Sequence, residues 1–169
     1  MKQIIDDVYT LLLEQKCVQE TLLGLALRKR EAVVKNDVDE LTLIVNEEYF
    51  ALSQVNKIEK QRVKAMAGAT EAVGKPAKNI TISDLIEHAD DRQRPLLRTL
   101  QKELVDVLTR LKAQNDENGA LVDAQLEYIA MMLSVVAGSE DPLNNFYGSD
   151  GQALDVEISK GRSVIDTEI

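Results

Sequence analysis

The side chains able to do chemistry are few. His88 is the single histidine and stands among Glu87, Asp90 and Asp91. A metal site draws on several nitrogen or sulfur ligands, so one lone histidine reads as a solvated surface residue. Cys17 lies beside Val18 with no histidine near it in sequence. Without a base or cation to stabilise its thiolate, it reads as a buried structural thiol. Glu47-Glu48 and Asp90-Asp91 are paired acids, but consecutive helical residues point in different directions, so neither pair is an acid–base dyad. Gly148-Ser149-Asp150-Gly151 follows no strand and opens no helix, so it fails as a phosphate loop. No Gly-x-Ser-x-Gly elbow occurs. The paired Glu-x-x-His motifs of a metal-binding helical bundle need more than one histidine. The expectation is a protein with no catalytic, cofactor-binding or metal-binding residues, which acts by binding.

The elements that carry these residues are helical. From Ile4 to about Lys35 the apolar spacing is three and four: Ile4, Val8, Leu11, Val18, Leu22 and Leu25, with Gln15 interrupting and Leu12, Leu23 and Ala26 widening the stripe. Asn36-Asp37 breaks the pattern, and Asp37 with Glu40 three residues on has the form of a capping box. A second stripe follows at Leu41, Val45, Glu48, Leu52, Val55, Glu59, Arg62 and Met66, with Ile44 and Ile58 beside it. Glu59 and Arg62 can pair at three-residue spacing. Gly68, Gly74, Pro76 and Asn79 mark a connection from about Gly68 to Ile80. Thr81-Ile82-Ser83-Asp84 restarts a short helix, Asp84 to about Ala89, with another capping signature. Asp90-Asp91 ahead of Pro95 marks the start of a last helix. Its stripe runs through Leu97, Leu100, Leu104, Val107, Leu111, Asn115, Asn118, Val122, Gln125, Ile129, Met132 and Val136, and about 40 residues at 1.5 Å each make it about 60 Å long. The fold expected is all-α: an elongated antiparallel bundle or coiled coil of three long helices plus a short one.

Asn115, Asn118 and Gln125 form a polar step in that last stripe. They read first as a register-setting layer; otherwise the helix loses its partner there and binds something else. Gly138-Ser139-Glu140-Asp141-Pro142 ends the helix. The domains expected are a bundle over 1–137 and a flexible acidic tail over 138–169. The tail holds seven acids against Lys160 and Arg162, a net −5 of the chain's −9. Leu154, Val156 and Ile158 alternate, which suits strand addition onto a partner or packing onto the chain's own bundle.

Charge narrows the partners. A chain at −9 repels phosphate backbones, which excludes nucleic acid. Lys and Arg do not gather into a patch, which excludes an anionic membrane surface. No window nears 18 apolar residues, so membrane insertion is excluded. The opening residues lack a signal-peptide core, and a single Cys17 allows no internal disulfide, so the expected location is cytoplasmic. An apolar, Met-containing row at Val122, Leu126, Ile129, Met132, Leu133 and Val136, bounded by Asn118, suits helix-in-groove binding. Continuous apolar stripes also allow a structural homodimeric coiled-coil scaffold, or a weak homodimer.

Three segments give the chain a family likeness. They are the Glu48…Leu52…Glu59…Arg62 seam, the run Asn115-Asp116-Glu117-Asn118-Gly119-Ala120-Leu121-Val122-Asp123-Ala124-Gln125, and Phe146-Tyr147-Gly148-Ser149-Asp150-Gly151-Gln152. The last resembles the Tyr-Gly-x-x-Gly-Gln that follows the final long helix in the FlgN-type flagellar export chaperones. The resemblance implies a chaperone that holds the hook-filament junction proteins FlgK and FlgL, prevents their premature assembly and delivers them to the type III export gate. It implies that the C-terminal part binds the substrates' helical ends, and that Phe146, Tyr147 and Gly148 serve docking on the gate component FlhA, with Tyr147 foremost.

Overall fold

The computed structural model describes residues 1–137, with side chains through residue 133. Every long element in this stretch is helical, and no strand occurs among the described residues. The order is α1 (Lys2–Lys35), α2 (Val38–Met66), α3 (Thr70–Val73), α4 (Ile82–His88) and α5 (Gln93–Ala137). The chain divides into two compact units, Met1–Asp123 and a second beginning at Ala124.

Each junction in the first unit is written in local sequence. Asn36 ends α1 in the left-handed conformation (φ 54°), which Asn tolerates better than most residues. Its N–H donates to the Val33 carbonyl and the next N–H, of Asp37, to the Ala32 carbonyl, so orphan carbonyls of the last turn are satisfied. Asp37 then opens α2 by accepting from the Glu40 N–H at 3.0 Å. The reciprocal half of the box is absent, because the Glu40 carboxylate accepts from Arg28 Nε and Nη2 instead.

The connection after α2 is more ordered than its Gly and Pro content suggests. Short 3-10 turns at Ala67–Ala69 and Ala77–Asn79 flank α3. Gly74 (φ 73°) closes α3, its N–H donating to the Thr70 carbonyl. Helix α4 begins at Ile82, two residues ahead of the expected Asp84, because Thr81 is its N-cap. The Thr81 hydroxyl accepts from the Asp84 N–H and the Asp84 carboxylate accepts from the Thr81 N–H, a complete capping box. Asp90 does the same service for α5. It accepts from the N–H groups of Arg92 and Gln93, and Gln93 Oε1 accepts from the Asp90 N–H. These backbone donors, the Gln93 N–H foremost, hold the Asp90 carboxyl below its ordinary value.

Lys75 Nζ donates to Asp84 Oδ1 at 2.6 Å, and with the two Thr81 donors it lowers the Asp84 carboxyl to about 2. An acid whose folded value is depressed stabilises the fold above its unfolded value, about 3.9, and that contribution is lost as pH falls through the folded value. The α4 cap therefore loosens between about pH 4 and about pH 2. Lys75→Met moves that loss to higher pH, and Thr81→Ala costs about 1 kcal/mol at neutral pH. NMR titration of the Asp84 carboxyl reads the first, and urea unfolding the second.

Two apolar clusters fill the first unit. One joins Ile5, Val8 and Leu12 of α1, Met66 of α2, Leu85 and Ile86 of α4, and Leu97, Leu100 and Leu104 of α5. The other joins Leu22, Leu23, Leu25 and Ala26 of α1, Ile44 and Ala51 of α2, and Val107 and Leu111 of α5. The α2 seam differs from the one expected. Ile44, Ala51, Ile58 and Met66 are buried, while Val45 and Leu52 are exposed. Glu48 faces inward far enough to pair with Lys29. Arg62 takes both Glu59 oxygens, at 2.6 and 2.8 Å, the pairing that the three-residue spacing predicts.

Helices α1 and α5 run parallel in a fixed register. Asp6 accepts from Gln93, and Lys16 donates to Glu103, each pair 87 residues apart. Arg30 with Glu117 repeats that separation. Exposed ion pairs contribute little stability each, about 0.2–1 kcal/mol, but a constant offset over 24 residues fixes how the helices align.

Candidate functional site

The α1–α5 register determines where the bundle seam stops. An offset of 87 places Lys35, the last residue of α1, opposite Val122. The last buried side chain of α5 is Asn118, whose Nδ2 donates to the Ala26 carbonyl of α1 at 2.8 Å. Gln114 Nε2 completes it by donating to Asn118 Oδ1 at 3.1 Å. A buried amide with its partners satisfied fixes alignment strongly, because a slip would leave it unpaired. Asn118 thus sets the register, as the polar step predicts, and burial at α5's apolar positions ends beside it. Asn115 is only half-buried.

Beyond it the same periodicity continues without burial. Val122 is exposed, as are Leu126 (50%), Ile129 (51%) and Leu133 (49%). Spacings of four, three and four residues keep these on one face. Met132 is exposed beside them, as are Tyr128 and Met131, which the sequence reading passed over. Both lie off the heptad row, so periodicity alone does not select them. Val136 belongs to α5, with its side chain outside the described ones. Phe146, Tyr147 and Gly148 lie outside the described residues, as does the tail.

An exposed apolar row of this size is a binding surface in waiting. It offers no charge, nucleophile or metal ligand, so what it can do is cover another apolar helix. Two methionines make it adaptable in shape.

The residues first weighed for chemistry sit elsewhere. His88 is exposed, but it is tied down rather than simply solvated. Its ring nitrogens lie 2.9 Å from the Asp84 carbonyl oxygen and 3.1 Å from that of Ala72, linking α4 to α3. Cys17 is exposed, contrary to the expectation of a buried thiol. The neighbouring core place is taken by Gln19, which is buried. Among the described residues no three His, Cys, Asp or Glu side chains group in a way that could hold a metal, and no helix is long and apolar enough to cross a membrane. The expectation of no basic patch also needs correcting. Lys57, Lys60 and Lys64 are scattered in sequence but share one exposed face of α2.

The comparisons with known proteins agree with this architecture. The family model described as FlgN protein matches residues 1–155. YvyG of Bacillus subtilis (strain 168), described as an uncharacterized protein, is 28% identical over 157 residues, which cover 92% of this chain and 94% of that one. No solved structure matches the chain. With a helical bundle and an open apolar row at its end, and a family match over almost its whole length, the chain belongs to the FlgN family, the flagellar export chaperones.

Proposed function

We propose that this chain holds the hook-filament junction proteins FlgK and FlgL in the cytoplasm, keeps them from assembling early and delivers them to the export gate. The observation that carries the reading is the half-exposed apolar row Leu126, Ile129 and Leu133 on α5. A junction protein that assembles through helical ends exposes an apolar stripe before assembly. A helix laid along Val122, Leu126, Ile129, Met132, Leu133 and Val136 covers such a stripe. Asn118 bounds the row by closing the bundle where the cargo surface starts. The work needs no cofactor and no catalysis, only differential affinity. Release at the gate is served by moderate rather than extreme binding strength.

Delivery is assigned to Phe146, Tyr147 and Gly148, as docking residues for FlhA in the segment 138–169, which acts as a tail separate from the bundle of 1–137. Tyr147→Ala is expected to keep FlgK and FlgL in pull-downs and to lose FlhA from the same eluates. Equal recovery of FlhA by both baits removes Tyr147 from the docking role. Failure of both baits to recover a junction protein removes the cargo assignment.

The same exposed row favours a second reading, in which two copies pair through α5 as a scaffold. Sedimentation at rising concentration distinguishes them. A scaffold shows no monomer, whereas an export chaperone is monomeric or pairs weakly and gives up that pairing to cargo.

A further inference from the structure

Helix α2 carries a second open surface, on the side away from its buried seam. Asn46 and Ser53 lie about half a turn from Ile44 at about 100° per residue. Tyr49 and Phe50 flank them, 78% and 66% exposed. The four positions are i, i+3, i+4 and i+7, the outline of the hole that receives a knob from a facing helix. Its walls are two aromatic rings, and its ends are a small amide and a hydroxyl. One and two turns further along the same face come Lys57, Lys60 and Lys64, which make no ion pair among the described residues. In a chain of net charge −9, three neighbouring lysines without carboxylate partners are a local inversion of sign.

We propose that this face of α2 is a docking site for an acidic amphipathic helix of a partner protein. An apolar side chain of the partner enters between Tyr49 and Phe50, and carboxylates seven to fifteen residues along meet Lys57, Lys60 and Lys64. From Tyr49 to Lys64 the surface extends about 22 Å, which asks for a partner helix of about four turns. Charge complementarity selects the occupant. Aromatic walls reward an apolar knob, and lysines reward acids, whereas the chain's remaining charge repels a nucleic acid. The surface lies on a different helix from the cargo row, so its occupancy stands or falls independently of the cargo reading.

The test uses the full chain and two synthetic 18-residue helices stapled for helicity. Both carry Leu at heptad spacing in the first half; one has four Glu in its second half, the other four Lys. Fluorescence anisotropy is expected to show the acidic helix binding at least tenfold more tightly than the basic one. Lys57→Glu, Lys60→Glu and Lys64→Glu together are expected to weaken the acidic helix about tenfold, as three partly exposed ion pairs allow, and to improve the basic one. Tyr49→Ala with Phe50→Ala is expected to weaken both peptides. All five side chains are exposed, and circular dichroism checks that the variants fold. Three outcomes overturn the proposal: no preference for acid, binding that survives both sets of substitutions but is lost with Ile129→Asp, or a single-stranded oligonucleotide that binds in place of the acidic helix. A dimer of the unaltered chain that Tyr49→Ala with Phe50→Ala makes monomeric also overturns it, by assigning the face to a second copy.

Discussion

Replacing Ile129 and Leu133 together by Asp is expected to weaken the hold on FlgK and FlgL by about a hundredfold while leaving the bundle's thermal unfolding almost unchanged. The two effects separate because the side chains are half-exposed and lie past the last residue of α5 that the first unit buries. Apolar anchors at the centre of an interface cost about 2–4 kcal/mol each when lost, and a charge placed against an apolar cargo helix adds desolvation to that loss. Surface substitutions away from buried features stay within about 0.5 kcal/mol in the free protein. Calorimetric titration with purified junction protein reads the first quantity, and a melting curve reads the second. Loss of stability comparable to loss of binding would show these residues to be bundle core and end the cargo assignment.

Ile44→Ala should act in the opposite way from Val45→Ala, its neighbour. Ile44 is fully buried between α1 and α5, and Val45 is 54% exposed. Truncating the first removes buried methyl groups and leaves a cavity, at about 3 kcal/mol. For a bundle of this size that lowers the melting temperature by about 10 °C. Truncating the second stays within about 0.5 kcal/mol. Reversal of that order would restore the seam through Val45 and Leu52.

This pair also marks where the sequence could be read and where it could not. Local signals were legible. Asp37, Thr81 and Asp90 each satisfy N–H groups at a helix start, and such capping depends on a few adjacent residues only. Glu59 with Arg62 was legible for the same reason. The α2 seam was legible to within one position. Leu41-x-x-x-Val45 and Leu41-x-x-Ile44 both fit a helical stripe, and small Ala51 hid the inner track beside the larger Leu52. In α1 the polar Gln19 occupies a core position and Cys17 does not, which no hydropathy pattern reveals. The open row on α5 is as apolar as the buried stretch from Leu97 to Leu111. What separates them is that α1 ends at Lys35, a fact held 87 residues away. The lysine face of α2 was missed by reading along the chain rather than around the helix. The Tyr147 motif and the tail are legible only as sequence.

The constant offset between α1 and α5 has a consequence for how this bundle can change length. A single inserted or deleted residue in either helix shifts every downstream pair by about 100° around the axis. Gln93, Glu103 and Glu117 would then miss Asp6, Lys16 and Arg30 together. Seven residues removed from each of α1, α2 and α5 at matched levels restore every alignment, because seven residues return close to two full turns. The scaffold behaves like a vernier whose smallest legal step is a heptad taken in all three helices at once. The stretch of α5 past Val122 is exempt, so the length of the cargo row can be altered one turn at a time without retuning the rest.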